Sequence, residues 1–252
     1  MPQAIARRDS WTPERRFYSG MAMLLLVTVF IGFVRTFYLK PLFPEFQHHA
    51  PPESFFLFHG AFFTGWFILL AIQPRLVADG NLKLHRRLGR YGAVLAVAMV
   101  VLGLWGALIA AGRPDGFINV PAPPLQFLAV PVTGIALFAA FVALALARRH
   151  DPQSHKRLML LASISLVEAA VARLPFDLPT MPSPIPYVGL RELFTLLFLL
   201  PLVIWDVVSR GRLHPATLWG GLALIVVLPL RMMLGATAAW QGFARWAVAS
   251  IY

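Results

Sequence analysis

Apolar stretches of about 20 residues, the length a helix needs to cross a bilayer, recur along this chain of 252 residues, and they limit what it can fold into. They fall at roughly 17–38, 55–76, 82–111, 125–147, 152–174, 190–208 and 216–238. Inside hydrocarbon every backbone N–H and C=O needs a partner within its own segment, so such stretches become helices. With 58% hydrophobic and 13% charged residues and a mean hydropathy of +0.70, a soluble core is excluded. The expected fold is all-α, a polytopic transmembrane bundle of about seven helices forming a single domain over residues 1–252. No connection is long enough to hold a soluble domain. Trp240 and Trp246 follow the last stretch, and that tail either continues the helix or lies on the membrane interface. Pro131, Pro201 and Pro229 fall inside spans, where kinks are expected. Five prolines between Pro175 and Pro186 exclude a helix there.

The net charge of +11 raises the question of nucleic acid, but the basic residues are scattered through connections between apolar runs. Anionic lipid headgroups are the expected partner, and no nucleic acid. Most of the 22 lysines and arginines fall on one side when the N-terminus is placed in the cytoplasm. The expected topology therefore has residues 1–16 as a short cytoplasmic segment, the first run as a retained anchor, and the C-terminus on the opposite, periplasmic side. The absence of cysteine excludes disulfides, iron–sulfur clusters, thiolate metal sites and cysteine nucleophiles. Lysine occurs only at 40, 83 and 156, so the last span has none for a retinal Schiff base. No Gly-x-Ser-x-Gly, Walker A, His-Glu-x-x-His or Gly-x-Gly-x-x-Gly motif is present, and the sequence assigns no reaction.

One short pattern appears twice. Leu84-His85-Arg86-Arg87-Leu88-Gly89 returns as Ser154-His155-Lys156-Arg157-Leu158-Met159, each copy opening an apolar run. Helix-start signals precede both, Asn81 for the first and Asp151-Pro152 for the second. Each histidine thus falls near the first turn of its helix, on the same side of the membrane. The pair is a candidate set of axial ligands for haem b or part of a metal site, with Arg86 and Arg157 placed for propionates. The alternative is that the basic residues only anchor the loops to headgroups.

His59, Trp66 and Gln73 recur every seven residues along the second helix and share one stripe. His59 lies at the outer end, too far from His85 and His155 to join them, and is a separate candidate cofactor ligand. Ionisable groups at membrane depth cost roughly 2.5–3.5 kcal/mol each and usually face a bundle interior. Arg35, Glu168, Arg173 and Arg231, with His59 and Gln73, therefore read as lining an outward-facing polar pocket. The alternative is a set of ion pairs, Glu168 with Arg173 or Arg231, that fix helix packing.

His59-Gly60, Gln73, His85 to Arg90, and His155 to Met159 followed by Ala170 to Arg173 resemble a group of uncharacterised bacterial multi-pass membrane proteins. That group is marked by a His-Arg-x-x-Gly loop and a His-x-Arg-x-Met loop with a downstream arginine. The layout also loosely resembles cytochrome b561-type proteins, whose helix-end histidines hold haem near the membrane faces. This resemblance implies a haem-binding or redox-linked electron-transport protein. Two other functions fit the residues: a non-catalytic accessory subunit packed against other membrane subunits, and a carrier for a small anion.

Overall fold

The computed structural model describes residues 12–44, 53–117, 120, 122–174 and 190–251. His48, His49 and most of the proline-rich connection lie outside the described residues. Among those described, no strand occurs. The helices are α1 (Pro13–Phe33), α2 (Glu53–Ala78), α3 (Leu82–Gly112), α4 (Pro124–Phe127), α5 (Ala129–Ala147), α6 (Pro152–Val171), α7 (Leu190–Leu196), α8 (Leu200–Arg210), α9 (Pro215–Ala236) and α10 (Ala238–Ala249).

Local chemistry sets their ends. After α2 the chain turns through Gly80 at φ 75°, with Asn81 N–H donating to the Leu76 carbonyl and Gly80 N–H to that of Val77. This arrangement closes a helix with a left-handed glycine. Asn81 then caps α3 by accepting from Leu84 N–H at 3.1 Å. Asp151 caps α6 in the same way, accepting from the N–H groups of Gln153 and Ser154 at 3.0 and 3.3 Å. Ser154 adds its hydroxyl to that carboxylate, and these bonds hold the Asp151 carboxyl below the usual carboxylate range. Both expected starts are therefore present, and His85 and His155 are each the fourth residue of their helix.

The prolines act unequally. The fourth stretch breaks at Leu128, between α4 and α5, three residues before Pro131. The sixth breaks into α7, a tight turn at Leu197–Leu199, and α8, whose second residue is Pro201. A proline is tolerated in the first turn of a helix because no N–H partner is lost there. By contrast α9 runs without interruption through position 229, and α2 also carries Pro74, an interior proline not anticipated. The tail does not continue α9. Thr237 ends that helix and caps α10 by accepting from Trp240 N–H at 3.2 Å.

Helices α1, α2, α3, α5 and α6 pack successively, and α6 closes back on α1, making a five-helix ring. Trp66 of α2 fills its centre, edge-on to Phe138 of α5 and donating its indole N–H to Ser163 of α6 at 3.0 Å. On the other side of α6 lie α7 and α9, while α10 packs across α3, α4 and α9. Helix α6 is thus shared by both halves of the bundle.

Six helical segments are long and apolar enough to cross a membrane, and their outward faces are apolar, as at Phe30, Val94, Val97, Ile204 and Trp219. Seven were expected. The difference is α6, which at 20 residues has the length but carries His155, Lys156, Arg157 and Glu168. Its charges face protein partners instead of lipid, so a criterion of composition passes it over.

Lipid tails are as apolar as leucine, so helix association in a bilayer relies on close packing of small residues. Gly32 of α1 lies against the α6 backbone, where an added Cβ would overlap the carbonyl of Ala170. Gly20 of the same helix has open space around it. Gly32→Ala should therefore lower stability by about 1–3 kcal/mol, the usual cost of overpacking. Gly20→Ala should be neutral or slightly stabilising. Thermal unfolding of the two variants in detergent distinguishes these outcomes.

Candidate functional site

Each ionisable side chain of α6 has a partner on a different helix. His155 Nδ1 lies 2.8 Å from the carbonyl oxygen of Ala145 at the end of α5. A carbonyl only accepts, so Nδ1 carries a proton, and in the neutral ring Nε2 is then the nitrogen with the lone pair. Lys156 pairs with Glu14 of α1, whose carboxylate also accepts from Gln153 at 3.2 Å. Arg157, fully buried, donates Nε to Asp206 of α8 at 2.9 Å and a second nitrogen to the same oxygen, while Nη1 serves Gln153. Glu168 receives both terminal nitrogens of Arg231 from α9, at 2.5 and 2.6 Å.

Three of these contacts, with the caps of α3 and α6, define one end of the bundle, the basic end. His85 stands there with its imidazole within electrostatic reach of that of His155. Its Nδ1 is buried and finds no hydrogen-bond partner among the described residues. Gln73 joins them by donating to the His85 carbonyl at 3.3 Å, and its own side-chain oxygen is buried without a donor among the described residues. The twin histidines thus stand at the same end of the bundle, near enough for their charges to interact.

Other expected members do not. Arg157 is turned away into the Asp206 pair and is closed to any anion beside the imidazoles. Arg86 remains on the exposed rim, its Nε donating to the Leu82 carbonyl. His59 sits toward the other end, stacked on Phe63 with ring centroids 4.2 Å apart and donating Nδ1–H to Leu102 at 3.4 Å. The stripe His59–Trp66–Gln73 thus runs the length of the ring from one end to the other.

The residues expected to line an outer pocket are dispersed. A cavity of about 30 Å³ lies beside Glu168 and Arg231, lined also by Gly134, Ser165 and Thr195. That volume suits one or two waters and no organic guest. Arg35, His59, Gln73 and Arg173 do not line it. Arg173 instead lies over the Phe33 ring at 5.0 Å and donates to the Ala169 carbonyl. Arg35 belongs to the wide helical turn Val34–Tyr38 at the end of α1. The alternative reading of Glu168 with Arg231 as an ion pair fixing helix packing matches the geometry.

Sequence reasoning missed Asp206 and His214. Asp206 is fully buried, and beyond Arg157 it accepts the backbone N–H of His214 at 3.0 Å. His214 Nδ1 in turn caps α9, accepting from Ala216 N–H at 3.1 Å. A histidine before proline is a weak cap signal, and a lone aspartate in a helix reads as surface. Nothing in the local pattern ties Asp206 to an arginine 49 positions earlier.

Two predictions follow from these pairs. Removing Arg231 alone leaves a buried carboxylate, so Arg231→Ala should cost about 3–5 kcal/mol. Replacing both partners, with Glu168→Leu and Arg231→Met, should recover most of the loss in thermal unfolding. The second prediction concerns pH. Burial, then the charges of Arg157 and Arg210, keep the His214 imidazole below its ordinary pKa of 6.5. The unfolded chain therefore binds the proton more readily than the folded one. Stability from this cap should be full above pH 6.5 and fall as pH drops below it, because a protonated Nδ1 no longer accepts from Ala216. His214→Asn, which keeps a capping acceptor without the titration, should flatten that part of a stability-against-pH curve. Compared with protein-family models, with curated proteins and with solved structures, the chain matches none, so its chemistry rests on the geometry above.

Proposed function

We propose that the chain is a multi-pass protein of a bacterial inner membrane that binds haem b at the basic end of its helical ring, through His85 and His155, and works in electron transfer. The observation that carries the reading is the placement of two imidazoles at one end of the ring, each the fourth residue of its helix, with Nδ1 of His155 held by the Ala145 carbonyl so that Nε2 is the nitrogen turned to a ligand. A carbonyl on the far nitrogen is the usual way a ligating histidine is oriented. The donor set also favours haem over a closed metal site. His85 and His155 are the two imidazoles that would hold a b-type haem. A structural zinc site needs four protein ligands, and no group of three or more His, Cys, Asp and Glu suited to a metal gathers among the described residues.

Haem b supplies one-electron chemistry when bound. The chain's own residues do the rest: the imidazoles bind, Gln73 holds the first turn of α3 through the His85 carbonyl, and Arg86 and Arg87 stand on the rim for carboxylates. The basic end lies in the cytoplasm by the positive-inside rule. With α6 counted as a span, seven crossings bring α10 to the periplasmic face. A small-anion carrier has less support, because Glu168 occupies both terminal nitrogens of Arg231. An accessory-subunit role has no particular contact in its favour.

The test is the visible spectrum of the purified, folded protein, oxidised and then reduced with dithionite. A Soret band with sharp α and β bands on reduction is expected. His85→Ala and His155→Ala should each abolish or broaden them, while His59→Ala leaves them unchanged. A colourless, fully folded preparation that also fails to take up added haemin would overturn the proposal.

A further inference from the structure

Independently of the imidazole pair, we infer that a cleft between the start of α1 and the end of α8 is a binding site for one anionic phospholipid. The cleft has a volume of about 510 Å³ and is lined by Glu14, Gln153, Arg157, Trp205, Ser209 and Arg210, with Thr12 and Pro13 at its edge. That volume is within the range of about 300–1,000 Å³ typical of small-molecule sites.

Three observations identify the guest. The lining carries two arginines against one glutamate, and that glutamate is already engaged by Lys156 and Gln153. Arg157 is likewise engaged by Asp206, so Arg210, exposed at the mouth, is the cation placed to meet a phosphodiester. Second, the indole N–H of Trp205 is buried at the cleft wall and finds no acceptor among the described residues. Ser209, one turn on, turns its hydroxyl to the Trp205 carbonyl and does not take up the indole N–H. A buried donor without a partner is costly, and a phosphate or ester oxygen supplies what it lacks. Third, an apolar ridge leads away from the cleft along the exposed face of α8: Val208, Ile204, Leu200 and, in the tight turn before it, Leu197. Residues three and four apart lie one above another on a helix, so the ridge is a continuous track for acyl chains. The Phe17 ring stacks on Trp205 at 4.7 Å and holds the plane of the indole. A soluble phosphate would use the arginine and the indole but leave the ridge unused.

The experiment takes the whole protein in mild detergent, stripped of lipid, and follows its thermal unfolding midpoint as phosphatidylglycerol, phosphatidylcholine or glycerol phosphate is added. Phosphatidylglycerol should raise the midpoint saturably, phosphatidylcholine less, and glycerol phosphate not at all. Trp205→Phe keeps the stack on Phe17 and deletes the N–H; Arg210→Gln deletes the cation. Each should weaken the half-saturating phosphatidylglycerol concentration by about tenfold, as expected for one lost charge-assisted hydrogen bond. Arg212→Gln, outside the cleft, should change it little. Equal shifts with phosphatidylcholine, a full shift with glycerol phosphate, or equal losses in the Arg210 and Arg212 variants would each overturn the site.

Discussion

One helix places the heaviest demand on the bundle. Helix α6 carries an imidazole, two cations and a carboxylate into apolar surroundings, and each needs a partner that does not come from α6 itself. Ala145, Glu14, Asp206 and Arg231 answer from α5, α1, α8 and α9. Four helices are thereby fixed in azimuth and height against one axis. Apolar packing between helices in lipid is permissive, since leucine against leucine is much like leucine against a lipid tail. Polar pairs at fixed heights supply the discrimination that such packing lacks.

The two halves of the bundle use α6 differently. Toward the ring it presents small residues, with Ser163 under Trp66 and Ala170 against Gly32. Toward α8 and α9 it presents the buried pairs. The sides differ because a ring closed by five helices leaves room at its centre for one indole and little else. The polar axis of the ring is accordingly interrupted by Trp66, with His59 at one end and the Gln73, His85 and His155 group at the other.

Much of this was legible in the chain. Caps at Asn81 and Asp151 placed both histidines at equal depth, and the heptad spacing put His59, Trp66 and Gln73 on one face. Those inferences rest on contacts within a few residues, where helical geometry settles distances. Less legible was the outer pocket: helix azimuth does not follow from sequence, and the small cavity beside Glu168 and Arg231 is not lined by Arg35 or Arg173. Asp206 was missed for the same reason: its meaning depends on Arg157, which reaches it only through the packing of α6 against α8. The count of spans shows the converse. The pattern admitted α6 by its length, although its composition falls short of that of its neighbours.

The lateness of two of those partners has a consequence for biogenesis. Asp206 and Arg231 are made after α6 has left the ribosome, so α6 first meets the bilayer with Arg157 and Glu168 uncovered. At the centre of a span such a group costs roughly 2.5–3.5 kcal/mol on insertion scales, and less toward the ends, where Arg157 and Glu168 lie. The settled position of α6 in the bundle is then a property of the finished chain, conferred when α8 and α9 arrive. A nascent protein arrested before Asp206 would hold the ring's aromatic core and both imidazoles, yet lack the partners of Arg157 and Glu168 on α6.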